Sequence, residues 1–181
     1  MKLYAGWALL LMATATGRVV DPEGKPIPGA EACCGEKLTM ECVTTDAEGF
    51  YRIEKPSRRS VFIRAKGFVG VEAEAAEHVA PIALERAATL TVRVIDASGG
   101  APVRSGRLLL NYTSGKNIGS SAPFNQSGVR ITTLVPGEVL VRTEADGYEP
   151  GGPEVVRLEG GVEKRVTIAM RRSRDAGQRI D

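Results

Sequence analysis

The residues of this chain best equipped for chemistry are three cysteines, one histidine and a short acidic turn. Cys33, Cys34 and Cys42 lie close together in the sequence. Adjacent residues of a strand face opposite ways, so Cys33 and Cys34 cannot both meet Cys42 on one face. Cys34, or else Cys33, can bridge to Cys42 around the Gly35–Glu41 loop and leave a spare thiol. The alternative is three small, partly buried hydrophobes. A zinc site is not expected: the single histidine, His78, stands far from Cys42 and no fourth ligand is spaced for it. The stretch Thr44–Ile53, TTDAEGFYRI, sets Asp46 and Glu48 beside Gly49, but it lacks the acidic ladder and distal Glu of a calcium loop. Ser114-Gly115-Lys116 resembles the end of a phosphate loop, yet Leu110 stands where the upstream glycine would have to be. No Gly-x-Ser-x-Gly elbow occurs. No catalytic residue, cofactor or metal is therefore expected.

Binding is the remaining chemistry. Sugar-binding faces stack rings on exposed aromatics, but aromatics make up only 5% of the chain and its one tryptophan, Trp7, falls in the leader described below. Tyr112, beside the polar run NYTSGKNIGSS, is the best exposed candidate. With Asn117 and Asn125 it marks the polar stretch Thr113–Ser127 as the expected contact region, since long loops are often functional. The expected partner is an envelope or extracellular protein, or alternatively a glycan, which would make the chain a carbohydrate-binding module.

The elements that must hold these residues read as strands. In TLTVRVID, Leu90, Val92 and Val94 share one face while Thr91 and Arg93 share the other. The same period-two rhythm runs through LTMEC (Leu38, Met40, Cys42), SVFIRA (Val61, Ile63, Ala65) and EKRVTIAM (Val166, Ile168, Met170), as for strands with one buried face. Turn chemistry separates them: DPEGKPIPG, DAEG, DASGGAP and VPGE. VEAEAAEHVA has a helical composition, but Val71, Ala73 and Ala75 alternate, which favours strand plus loop. With 21 glycines and 10 prolines, the fold class expected is all-β.

The pattern also repeats. GRVVDPEGKPIPGAEA is answered by VRVIDASGGAPVRSGRLLL, pairing Asp21 with Asp96. Gly49 before FYRI is answered by Gly128 before VRITTL, and Gly67-Phe68 by Gly147-Tyr148. Three landmarks in the same order predict two tandem antiparallel β-sandwiches. The boundaries expected are a leader at 1–15, a first sandwich at 16–86, a second at 88–172 and a flexible tail at 173–181. In this frame Asp46 and Gly49 are structural turn residues. The carboxylate accepts nearby backbone N–H groups, the glycine takes positive φ, and FYRI starts the next strand in a register set by the turn.

Taken together, GRVVDPEGKPIPGAEA, TTDAEGFYRI and VFIRAKGF resemble the carboxypeptidase regulatory-like domain, through Gly24, Pro26, Gly29, Ala30, Thr45, Asp46, Gly49, Tyr51, Gly67 and Phe68. The resemblance covers roughly residues 16 to 86. It implies a transthyretin-like sandwich of about seven strands and a non-catalytic accessory module, of the kind found beside peptidases, glycan-active enzymes and outer-membrane receptors. The second unit departs from the pattern. Pro102 has no Gly-Ala after it, and FNQSGVRI replaces the Thr-Asp corner. It reads as a divergent copy or a related, immunoglobulin-like sandwich, with its strand order open.

The first fifteen residues, MKLYAGWALLLMATA, have the layout of an export signal: Lys2, a short apolar run, and Ala13-Thr14-Ala15 as a small-x-small cleavage site. The apolar run is too short to span a bilayer, which takes roughly 20 residues. The expected location is secreted, periplasmic or otherwise at the cell envelope, without stable membrane insertion after the leader is removed. Formal charge is +2, which gives no electrostatic case for nucleic acid. An internal Lys–Asn isopeptide bond is not expected, because the first strand carries Arg18 where a lysine would be needed. Asn111 and Asn125 sit in glycosylation sequons that matter only in a eukaryotic secretory pathway. Arg171–Arg174 reads as a solvated tail.

Overall fold

The computed structural model describes residues 14–35, 40–78, 80–114 and 119–174. It divides into two compact units between Leu84 and Glu85. Fourteen strands account for the architecture, and there is no α-helix among the described residues.

The first unit is built from β1 (Thr14–Val20), β2 (Glu31–Cys34), β3 (Glu41–Thr44), β4 (Phe50–Glu54), β5 (Ser60–Arg64), β6 (Val71–Glu74) and β7 (Ile82–Ala83). The second is built from β8 (Ala88–Asp96), β9 (Ser105–Tyr112), β10 (Ser120–Asn125), β11 (Val129–Leu134), β12 (Gly137–Glu144), β13 (Gly151–Leu158) and β14 (Glu163–Met170). In the first unit a three-stranded sheet, β4-β1-β7, accompanies a four-stranded sheet, β3-β2-β5-β6. In the second the orders are β11-β8-β14 and β10-β9-β12-β13. Strand for strand the two are the same topology. The chain is therefore two tandem β-sandwiches, and the order the sequence left open for the second unit is that of the first. Pairing is antiparallel except at the close of each unit, where β7 runs parallel to β1 and β14 parallel to β8.

Alternation explains the two cores. Leu90, Val92 and Val94 of β8 are buried with Leu108, Val139, Val141, Ile168 and Met170. In the first unit Ala15, Val19, Tyr51, Ile53, Val61, Ile63 and Leu84 form the equivalent cluster. The closing strands match closely. Ile82 lies opposite Val19 and Ile168 opposite Val94, and the following Leu84 and Met170 are both fully buried.

One difference between the copies is a coordinated exchange of volume. Tyr51 pairs with Gly17 across β4 and β1, and a Cβ on Gly17 would come within 2.8 Å of the Tyr51 ring. In the second unit the corresponding pair is Val129 and Val92. One large side chain over none has become two of middle size, which keeps a close-packed core filled. The exchange accompanies a turn shorter by one residue: Gly128 is followed directly by the inward Val129, where Gly49 is followed by exposed Phe50 and then Tyr51.

Two expectations are corrected, and the boundary of the expected leader meets β1. The buried face proposed for Leu38, Met40 and Cys42 is not formed as written: Met40 and Cys42 are exposed, while Val43 is the residue of β3 that packs toward the core. Leu38 lies outside the described residues. The polar stretch Thr113–Ser127 is not one loop, because Ser120–Asn125 forms β10 on β9. As a sheet edge β10 fully buries only Phe124, so its polar sequence concealed it. Finally, β1 takes in Thr14 and Ala15, the last two residues of the expected leader. Ala15 is fully buried and pairs with Ile53, since alternating small residues suit a strand as well as a cleavage site. Residues 1–13 lie outside the described residues.

Candidate functional site

The turn at Asp46 is a closed unit of hydrogen bonds. Its Oδ1 accepts from the backbone N–H of Glu48 at 3.1 Å and of Phe50 at 2.7 Å. The Gly49 N–H donates to the Asp46 carbonyl, and the Asp46 N–H to that of Phe50. Gly49 has φ of 82°. The neighbouring Thr45 hydroxyl, buried, accepts from the Ala30 N–H and donates to the Ile27 carbonyl, locking this turn to the β1–β2 connection. No oxygen arrangement here points to a cation, and among the described residues no group of three or more His, Cys, Asp or Glu is placed to hold a metal ion.

The second unit reuses the device with an amide. Asn125 Oδ1 accepts from the Ser127 N–H at 2.8 Å, and the Gly128 N–H donates to the Asn125 carbonyl. Asn125, expected as a contact residue, is thus positioned as a turn builder. Tyr112 is half-buried against the second core, and its hydroxyl donates to the Val135 carbonyl at 3.1 Å. Burial raises its pKa. Its ring is thus packed on one side and its hydroxyl engaged. Asn117 lies outside the described residues. His78 donates from Nε2–H to the Glu74 carbonyl oxygen, 2.7 Å away, on its own connection between β6 and β7.

The cysteines are resolved by register. Cys33 lies opposite Cys42 in the β2–β3 pair, with Cα atoms 4.1 Å apart, and these two are bridged. The pairing of Cys34 with Cys42 is corrected, because Cys34 points to the opposite face. It is buried as a free thiol in the first core. There its Sγ accepts the Arg58 N–H at 3.3 Å and faces the Arg58 carbonyl, holding the β4–β5 loop. Closing a loop with a sequence separation of 9 is worth about 2–3 kcal/mol by chain entropy. Reduction, or Cys33→Ala with Cys42→Ala, should lower the stability of the first unit by about that amount and leave the second unit's transition in place. Separate urea transitions, followed with and without reductant, would check this.

Sequence reasoning passed over the most connected polar group in the second unit. Asp96, at the end of β8, is buried. Its Oδ1 accepts from the Ser98 N–H at 2.8 Å and the Ser98 hydroxyl at 2.6 Å; its Oδ2 accepts from Arg172 Nε at 2.8 Å and the Tyr148 hydroxyl at 3.1 Å. The Arg172 guanidinium also lies over the Tyr148 ring, 5.7 Å from its centroid. The clue available was the repeat. Asp96 answers Asp21, whose Oδ1 takes the N–H groups of Glu23 and Lys25; Tyr148 adds a hydroxyl that Phe68 lacks. Beside this knot a concavity of about 400 Å³ is lined by Pro102, Arg104, Ser105, Asp146 and Tyr148. A second, of about 700 Å³, shares Ser105 and Asp146 and continues along Arg107, Ser121 and Glu144.

The Ser98 hydrogen bonds, then Arg172 and Tyr148, hold the Asp96 carboxyl well below the usual carboxylate range. It is a permanent anion near neutrality, with every oxygen engaged, and suits anchoring rather than proton transfer. Its folded pKa is depressed, so its contribution to stability is complete above the unfolded value of about 4 and drains away as pH falls below that value. Urea midpoints of the second unit between neutrality and strong acid should therefore decline on the acid side. Asp96→Asn should flatten that decline while lowering stability at neutral pH, and an unchanged acid limb would remove Asp96 as its source.

No family model and no curated protein matches the chain. Among solved structures it is similar to the Bacillus anthracis TIE protein, at 12% identity and a TM-score of 0.44, over 89% of this chain and 34% of that one. A Streptococcal ancillary pilin aligns at 8% identity and a TM-score of 0.42, over 91% of this chain and 63% of that one. GBS52, the minor pilin of Streptococcus agalactiae, aligns at 12% identity and a TM-score of 0.39, over 88% and 96%. The chain thus spans about a third of the TIE protein chain and under two thirds of the ancillary pilin. At these scores the likeness bears no weight for function, and the sandwich assignment rests on the chain's own strand pairing.

Proposed function

We propose that the chain is an exported, non-catalytic β-sandwich protein that acts as a binding or structural scaffold module at the cell envelope or outside the cell. The observation that carries this reading is how its reactive groups are spent. Asp21, Asp46, Asp96 and Asn125 all accept backbone N–H groups in turns, and the same seven-stranded frame is built twice from them. A rigid frame with its polar groups locked into corners is suited to displaying loops and faces. The leader-like first residues and the Cys33–Cys42 bridge favour an oxidising compartment. The resemblance to the carboxypeptidase regulatory-like domain supports an accessory role, and membership of that family is part of the proposal.

Cell fractionation with thiol trapping tests the location. The expected result is an envelope or external fraction in which Cys34 alone reacts after denaturation; a chain found wholly in the cytoplasm with three reactive thiols would overturn it. Purified protein on a glycan array, beside a pull-down from envelope extract, tests the role. Saturable capture of an envelope component without substrate turnover is expected. Specific binding to one glycan class would move the reading to a carbohydrate-binding module.

A further inference from the structure

We propose that the chain associates with further copies of itself, the outer face of β3-β2-β5-β6 in one copy docking on the outer face of β10-β9-β12-β13 in the next. Solvent-facing sides of the three-stranded sheets are polar, with threonine and arginine at Thr16, Arg18, Thr91 and Arg93. The exposed Phe50 ring there lies beneath the Arg18 guanidinium, 5.6 Å away. Outer faces of the four-stranded sheets differ, since each carries exposed apolar side chains. In the first unit Phe62 of β5, 43% exposed, lies across from Cys33 of the Cys33–Cys42 bridge, with Met40, 45% exposed, preceding β3. In the second, Leu140 of β12 lies across from Val155 of β13, which is 64% exposed, and diagonal to Leu109 of β9. Exposed apolar side chains gathered within a charged rim are the mark of an interaction site.

Charge selects the partner. On the first face Glu31 and Arg64 are joined in an ion pair, which leaves Glu72 opposite Phe62 and Glu74 opposite Ser60 on β6. On the second, Arg107 stands opposite Glu144 and Glu138 opposite Arg157, while Arg142 stands opposite Leu109. The first face is thus acidic beside its apolar centre and the second basic. Either face against its own copy would oppose like charges, whereas first against second opposes unlike ones. The contact is heterologous, so each added copy leaves a free face for another. Four strands about 4.8 Å apart offer roughly 300–500 Å² per face, well under the ~800 Å² a partner contributes to a standard interface. Association is accordingly weak and salt-sensitive.

This proposal does not depend on where the protein resides. Sedimentation velocity of the full chain at low salt, from about 10 µM to about 1 mM, is the test. Average mass should rise with concentration. Arg142→Glu alone, and Glu72→Arg with Glu74→Arg, should each weaken association at least tenfold, and the three changes combined should restore it. All are exposed side chains, and circular dichroism would confirm that each variant folds. A wild-type chain monomeric throughout the range would overturn the proposal, as would association that the single-face variants leave intact or the combined variant fails to recover.

Discussion

Gly49→Ala should lower the melting temperature of the first sandwich by roughly 15–25 °C, while Gly67→Ala lowers it by only about 5–12 °C. Both glycines have positive φ, 82° and 85°, so both substitutions force an L residue into the left-handed region at a cost of about 1–2 kcal/mol. Only Gly49 is also crowded. A Cβ there would lie 2.5 Å from the Val19 carbonyl oxygen, whereas nothing lies within 4 Å of one at Gly67. That oxygen accepts the Ile27 N–H at 3.0 Å, so the carbonyl cannot yield without loosening the β1–β2 connection. Overpacking of this kind adds about 1–3 kcal/mol, for a total of about 3–4 kcal/mol at Gly49. Calorimetry of the two variants separates the terms. Equal losses would mean that the approach of the turn to β1 contributes nothing.

The second large effect concerns the volume exchange between the two copies. Gly17→Val should cost about 3 kcal/mol or more, because it drives a branched side chain into a buried ring. Tyr51→Val should cost about 3 kcal/mol through the cavity it leaves. Together they should cost less than either alone, since the pair then matches Val92 and Val129, which the second sandwich already accommodates. The Tyr51 hydroxyl has no hydrogen-bond partner among the described residues, and burial raises its pKa, so no polar contact is lost with it. A double-mutant cycle by urea denaturation would measure a coupling of about 3 kcal/mol or more in favour of the pair. Strict additivity would show that the two side chains do not share space.

Much of this was legible in the chain. Leu90, Val92 and Val94 declared a half-buried strand by alternation alone, and the Asp46–Gly49 corner was readable because an Asx turn needs only neighbours in sequence. The paired landmarks Asp21/Asp96, Gly49/Gly128 and Gly67/Gly147 revealed the duplication for the same reason. Turn chemistry is local, so it persists while the strands between turns diverge. Strands that bury little were missed or given the wrong face. β10 hides behind serines and Pro123 because an edge needs only Phe124 to anchor it, and β3 turns Cys42 outward because its bridge to Cys33 lies on the solvent side.

Taken alone, then, the order of residues determined that this protein is all-β, built twice and cornered by aspartate, asparagine and glycine, because each of those properties depends on side-chain period or on contacts between near neighbours. Only the tertiary structure decided that Cys33 rather than Cys34 meets Cys42, that the Tyr112 hydroxyl and the Asn125 amide oxygen are engaged by backbone groups, and that Asp96 gathers Ser98, Tyr148 and Arg172. Those outcomes depend on which strand lies beside which and in what register. That is a choice made by burying two cores at once, and no short window of sequence contains it.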